Sequence, residues 1–174
     1  NIDEKEFFLL NAIESFENVE KINPNKFKAI HKLGLCHQKL NNHKEAIKEF
    51  KKSIIIVKKL EENFVSPYHR LAISYMIRAD LIDTLSSDAS SPYLDSAINT
   101  LNVITSIAPK YYKAYETLGV IFLESVNVNY SNYDLALENL LLASKLKPDS
   151  HILKCRLAQL HNIQAEEYKL EQKY

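Results

Sequence analysis

Apolar side chains recur three and four positions apart along the whole chain rather than at every second residue, so the pattern predicts helices and no strands. The helices come in a repeating order. The segment Lys28-Ala29-Ile30-His31-Lys32-Leu33-Gly34 reappears as Lys113-Ala114-Tyr115-Glu116-Thr117-Leu118-Gly119, and a proline stands ten residues before each glycine, Pro24 and Pro109. Weaker copies end in Leu71-Ala72 and Leu157-Ala158, the second again ten residues after Pro148. Self-similarity at such a period points to an array of like units.

A small residue lies twelve positions before each of those prolines: Ala12, Ala97 and Ala136. Gly34 and Ala46 are also twelve apart, which defines one uninterrupted unit of two helices, A and B, joined by a short turn. Four residues after each alanine comes a large apolar group, namely Phe16, Phe50, Leu101 and Leu140. Three further on, the core positions Val19, Ser53, Ile104 and Ala143 follow. Glycine or alanine at a helix crossing lets the backbones approach, while bulky neighbours fill the space on either side. Proline should stop each helix B, because it cannot continue the hydrogen-bond ladder, and sit in the first turn of the next helix A.

These residues resemble the tetratricopeptide repeat, a 34-residue unit with a large residue, Leu-Gly or Leu-Ala and an aromatic in helix A, and Ala, aromatic, Ala and Pro in helix B. The resemblance covers nearly the whole chain and implies an all-α, right-handed superhelical stack of antiparallel helix pairs with about eight helices. Residues 1–174 then form one domain: a lone helix B over 1–24, repeats over 27–60, 65–111 and 112–150, and a terminal helix A over 151–174. Lys58 stands where the first repeat should have proline, so its helix B is expected to run on. The Ala72 to Ala97 separation carries thirteen extra residues around Thr84 to Ser91, and Gly119 to Ala136 carries five around Val126 to Tyr130. Ser91-Pro92 and Ser131 are the expected N-caps of the two delayed helices. Half-units at both ends imply a piece of a longer chain.

Composition and charge narrow the function classes. The 174 residues are 46% apolar and 25% charged, the balance of a folded soluble chain. The nearest approach to an apolar run, Ser53 to Val57, falls far short of the roughly 20 residues that cross a bilayer. Cys36 and Cys155 lie far apart in helical patterns, as suits reduced thiols of an intracellular protein, expected in the cytoplasm with the nucleus as alternative. Both glycines sit at helix crossings, leaving no Gly-rich loop for a phosphate. The six histidines form no His-x-x-x-His pair and the cysteines no Cys-x-x-Cys pair, so no metal is expected. Cys155 and His161 are six apart and diverge on a helix, as do the neighbours Glu61-Glu62 and Glu166-Glu167. No catalytic residue and no cofactor is expected.

The 22 basic and 22 acidic residues cancel, but unevenly. Eleven lysines between Lys21 and Leu60 oppose Glu45 and Glu49, a local +9, against −5 over residues 1–20 and −4 over 61–109. Lys44, Lys48, Lys51, Lys52 and Lys59 fall on helix B, the convex side in this family, where solvation accounts for them. RNA contact by this stretch is an alternative reading, but nucleic acid is not the expected partner.

In tetratricopeptide arrays helix A side chains line a concave groove. The resemblance places Lys28, His31, Lys32, Leu35 and Lys39 there from the first repeat, and His69, Arg70, Ile73, Met76 and Ile77 from the second. The third adds Lys113, Val120 and Leu123. Leu35, Ile73, Met76, Ile77, Val120 and Leu123 would make an apolar stripe, with Lys28, Lys32, Lys39 and Arg70 at its N-terminal flank. The expected function is a non-catalytic adaptor that holds a protein, peptide or helix with apolar anchors and acidic flanks. A substrate-recruiting domain of a larger enzyme is the alternative. The carboxylate clamp that grips acidic chaperone tails is mostly missing: its positions hold His31, Leu35, Arg70, Lys113 and Thr117, and only Lys113 matches.

Overall fold

The computed structural model describes residues 3–83, 92–124 and 132–171. The described residues form eight α-helices: α1 (Glu4–Ile22), α2 (Phe27–Lys39), α3 (His43–Lys59), α4 (Ser66–Asp83), α5 (Pro92–Ile107), α6 (Tyr112–Glu124), α7 (Tyr133–Leu146) and α8 (His151–Glu171). There is no strand among the described residues. The inserted stretch around Thr84 to Ser91, the segment Val126 to Tyr130 and the cap candidates Ser91 and Ser131 lie outside them. The described residues fall into two compact units, 3–83 with 92–100, and 101–124 with 132–171.

In the first unit α2 packs between α1 and α3, and α4 packs on α3. Connections of four and three residues separate α1 from α2 and α2 from α3, which makes these neighbours antiparallel. The α2/α3 crossing is built on Gly34. A Cβ placed there would lie 2.7 Å from Cε1 and 2.8 Å from Cδ1 of Phe50, whose ring is fully buried together with Ala46. The second unit repeats the device: a Cβ on Gly119 would lie 2.7 Å from Leu140 Cγ and 3.3 Å from the Ala136 carbonyl oxygen. Neither glycine has a positive φ, so each is there for close approach and not for backbone freedom. Leu123, Ala136, Leu140, Ala143, Leu153 and Leu160 form the core that α6, α7 and α8 share. In α1 the matching positions stay open, with Ala12 and Phe16 half-buried and Val19 exposed.

Proline acts in the turns. Helices α1, α5 and α7 each end two residues before a proline, at Ile22, Ile107 and Leu146. The prolines then occupy the second position of hydrogen-bonded turns, in which the N–H groups of Lys26, Tyr111 and Ser150 donate to the carbonyls of Asn23, Ala108 and Lys147. This corrects the expectation that they begin the next helix A; prolines in a first turn are Pro67 and Pro92, of α4 and α5. Without a proline, α3 runs on to Lys59 and stops by another route. Glu61 adopts φ 54°, the Glu62 N–H donates to the Val57 carbonyl and the Glu61 N–H to that of Lys58. Asn41 ends α2 in the same way with φ 58°, a left-handed cap that asparagine accepts more readily than glutamate. The N-cap of α7 is Asn132, one residue beyond Ser131; its side chain accepts from the Leu135 N–H at 2.9 Å.

One partly buried charge network ties α1 to α3. The Lys52 ammonium lies 3.0 Å from Glu20 Oε1 and 3.0 Å from Glu49 Oε1. Burial works against its charge, but hydrogen bonds to Glu49 and Glu20 and the charges of both outweigh this, so its pKa stands above the usual lysine value.

Two substitutions probe these features by urea unfolding. Gly34→Ala gains helix propensity but drives a methyl into a ring that cannot retreat, and should lower stability by about 1–2 kcal/mol; adding Phe50→Leu should recover part of it. Glu61→Gly relieves the left-handed cap and should raise stability by about 0.5–1 kcal/mol.

Candidate partner-binding face

The two A helices of the first unit, α2 and α4, are joined by side chains. Gln38 Nε2 donates to Ser74 Oγ at 3.1 Å, and His31 Nε2 shares a 3.0 Å hydrogen bond with Ser66 Oγ. Phe64, in the connection between α3 and α4, packs against the Phe27 ring at 5.4 Å and edge-on against His31 at 5.2 Å. Around these links Leu35, Ile73, Met76 and Ile77 are half-buried, whereas Lys28, Lys32 and Arg70 are exposed. Lys28, Lys32 and Arg70 make no ion pair among the described residues. Lys32 lies over the Phe16 ring of α1 at 6.0 Å. Lys39 sits elsewhere: at the C-terminal end of α2 it borders a hollow shared with Asp3, Glu6 and Leu9.

His31 is 6% exposed, and its Nδ1 is buried with no hydrogen-bond partner. An imidazolium would have to donate from both nitrogens, and only Nε2 has a partner. Burial, reinforced by the nearby Arg70 charge, lowers its pKa to about 4. His43, also buried and with an unpartnered Nδ1, is shifted the same way by burial and by Arg78. Burial raises the Cys36 thiol above its ordinary value against the pull of Lys39, the opposite of an activated nucleophile. No group of three or more histidine, cysteine, aspartate or glutamate side chains among the described residues could hold a metal ion, and no described helix is long and apolar enough to cross a membrane.

In the second unit Lys113 is exposed and Val120 half-buried on α6. Arg156 of α8 reaches back to Glu124 of α6, Nη1 to Oε1 at 2.7 Å.

No family model matches the sequence, and no curated protein matches it. Solved structures do. The chain aligns with the crystal structure of the MamA protein at TM-score 0.69 and 18% identity, over 90% of this chain and 74% of that one. It aligns with TTC0263, a thermophilic TPR protein in Thermus thermophilus, at TM-score 0.65 and 21% identity, over 87% and 72%. With a chain of the APC/C hetero-tetramer Cut9-Hcn1 the TM-score is 0.69 at 16% identity, covering 87% of this chain but 26% of the other. The fold is that of the tetratricopeptide repeat.

Three side chains expected in the TPR groove are buried instead. His31 is roofed by Phe64, His69 is likewise closed off, and Leu123 belongs to the core of α6, α7 and α8. They support the TPR helix A faces and offer little surface to a partner. The TPR register puts Gln38 and Ser66 on the groove side of helix A but does not single out Ser74 and Phe64; together the four fasten α2 to α4. Phe64 had one signal, an aromatic among the four extra residues before the second repeat.

The His31 environment makes stability depend on acidity. Its folded pKa lies below the unfolded value of 6.5, so between pH 6.5 and about 4 the unfolded chain binds more protons. Stability is therefore complete above pH 7 and falls by up to about 3 kcal/mol on acidification to pH 4. Urea midpoints at pH 7 and 4.5 should differ much less in His31→Gln than in the parent; an equal difference would assign the slope to other groups.

Proposed function

We propose that this chain is a non-catalytic protein-binding scaffold that takes an extended or helical peptide with apolar anchors and acidic flanks along its helix A faces. The observation that carries the reading is the juxtaposition in the first unit: half-buried Leu35, Ile73, Met76 and Ile77 beside exposed Lys28, Lys32 and Arg70, cations with no carboxylate partner among the described residues. Apolar side chains that are partly wet gain from being covered, and lone cations beside them select the sign of the chain that covers them. Arg70 adds geometry, since a guanidinium can hold a carboxylate through two parallel N–H donors. The Cut9-Hcn1 neighbour works within a hetero-tetramer, which supports protein partners for a helical array of this kind. On α6, Lys113 and Val120 offer the same combination of an exposed cation and a half-buried apolar side chain.

The reading is tested with an immobilised peptide array in which apolar anchors are held constant and acidic flanks are varied. Peptides with both should bind, and Lys32→Glu with Arg70→Glu should weaken them by about tenfold or more. Binding that is indifferent to the double reversal would reject the basic flank; binding without apolar anchors would reject the groove.

A further inference from the structure

Helices α1 and α3 both pack on α2, run in the same direction because each is antiparallel to it, and are joined by the Glu20 to Lys52 bridge at 3.0 Å. Their exposed faces have opposite charge. On α1 that face carries Leu10, Glu14, Glu17 and Lys21; on α3 it carries Lys44, Lys48, Lys51 and Ile55. The 34-residue offset between Ala12 and Ala46 pairs these positions in order: Leu10 with Lys44, Glu14 with Lys48, Glu17 with Lys51, and Lys21 with Ile55. Glu14 and Glu17 have no ion pair among the described residues, and Lys48 reaches only exposed Glu45, at 3.4 Å. Ile55 is 67% exposed and Leu10 43%.

A two-fold axis parallel to these helices and passing between them would lay α1 of one copy on α3 of another, and the reverse. Every pairing then becomes favourable. Glu14 and Glu17 of each copy meet Lys48 and Lys51 of the other, and the lysine stems of residues 44 and 21 cover Leu10 and Ile55. We infer that the outer face of α1 and α3 is a self-association surface whose partner is a second copy of this chain. A nucleic acid would meet the lysines of α3 only by approaching Glu14 and Glu17 beside them, whereas a second copy uses both signs. Exposed ion pairs contribute little each, so the dimer is weak and sensitive to salt.

Sedimentation equilibrium of the whole chain tests this. The parent should dimerise at low ionic strength, with a dissociation constant about tenfold higher or more at ~0.5 M salt than at ~0.05 M. Glu14→Lys with Glu17→Lys should be monomeric, as should Lys48→Glu with Lys51→Glu. An equimolar mixture of the two variants should recover a dimer, because each altered face now meets its opposite. A monomeric parent at low salt, a variant that associates like the parent, or a mixture that stays monomeric would overturn the inference. Lys32→Glu with Arg70→Glu should leave the dimer intact, and its loss there would assign association to the groove face instead.

Discussion

The structure depends on how closely two helical backbones can come. At Gly34 and Gly119 the absence of a side chain lets Phe50 and Leu140 press against the backbone of the opposing helix, and both of those side chains are fully buried. A fully buried side chain of this size contributes roughly 1.5–3 kcal/mol, and only if nothing holds the helices apart. The alanines one turn away, Ala46 and Ala136, keep the same gap narrow from the other side and are fully buried too. The A helices α2 and α6, which carry part of the candidate face, are held at a spacing set in this way.

That spacing explains why much of the fold was legible from residues alone. Small residues twelve positions before each proline marked the B helices, because a crossing tolerates few alternatives to glycine and alanine and a helix cannot pass through proline. Helix ends were less legible where the stop signal was conformational: Glu61 adopts a left-handed backbone that its side chain does not advertise. The prolines mark the right places but fall on the turn side of the boundary rather than the helix side, since a turn and a first helical turn suit proline equally well by φ.

The candidate face was legible in part. The register implied by the tetratricopeptide resemblance puts Lys28, Lys32, Arg70, Leu35 and Ile73 on the A helices, and there Lys28, Lys32 and Arg70 are exposed and Leu35 and Ile73 half-buried. It does not foresee that Phe64, a residue with no counterpart in the regular unit, folds back over His31. Leu123 was misplaced for a related reason: a leucine at the last turn of helix A can face either a partner or the next helix, and here α7 and α8 enclose it.

The junction between α6 and α7 carries a further implication. The Asn132 N–H donates to the Phe122 carbonyl at 3.0 Å, so the start of α7 is fastened to the end of α6 independently of what lies between. Lengthening a connection grows only logarithmically more expensive, about 0.6 kcal/mol for each doubling of its length. An epitope, a fluorophore tag or a short recognition loop inserted between these two anchor points should therefore leave the pairing of α6 with α7 in place.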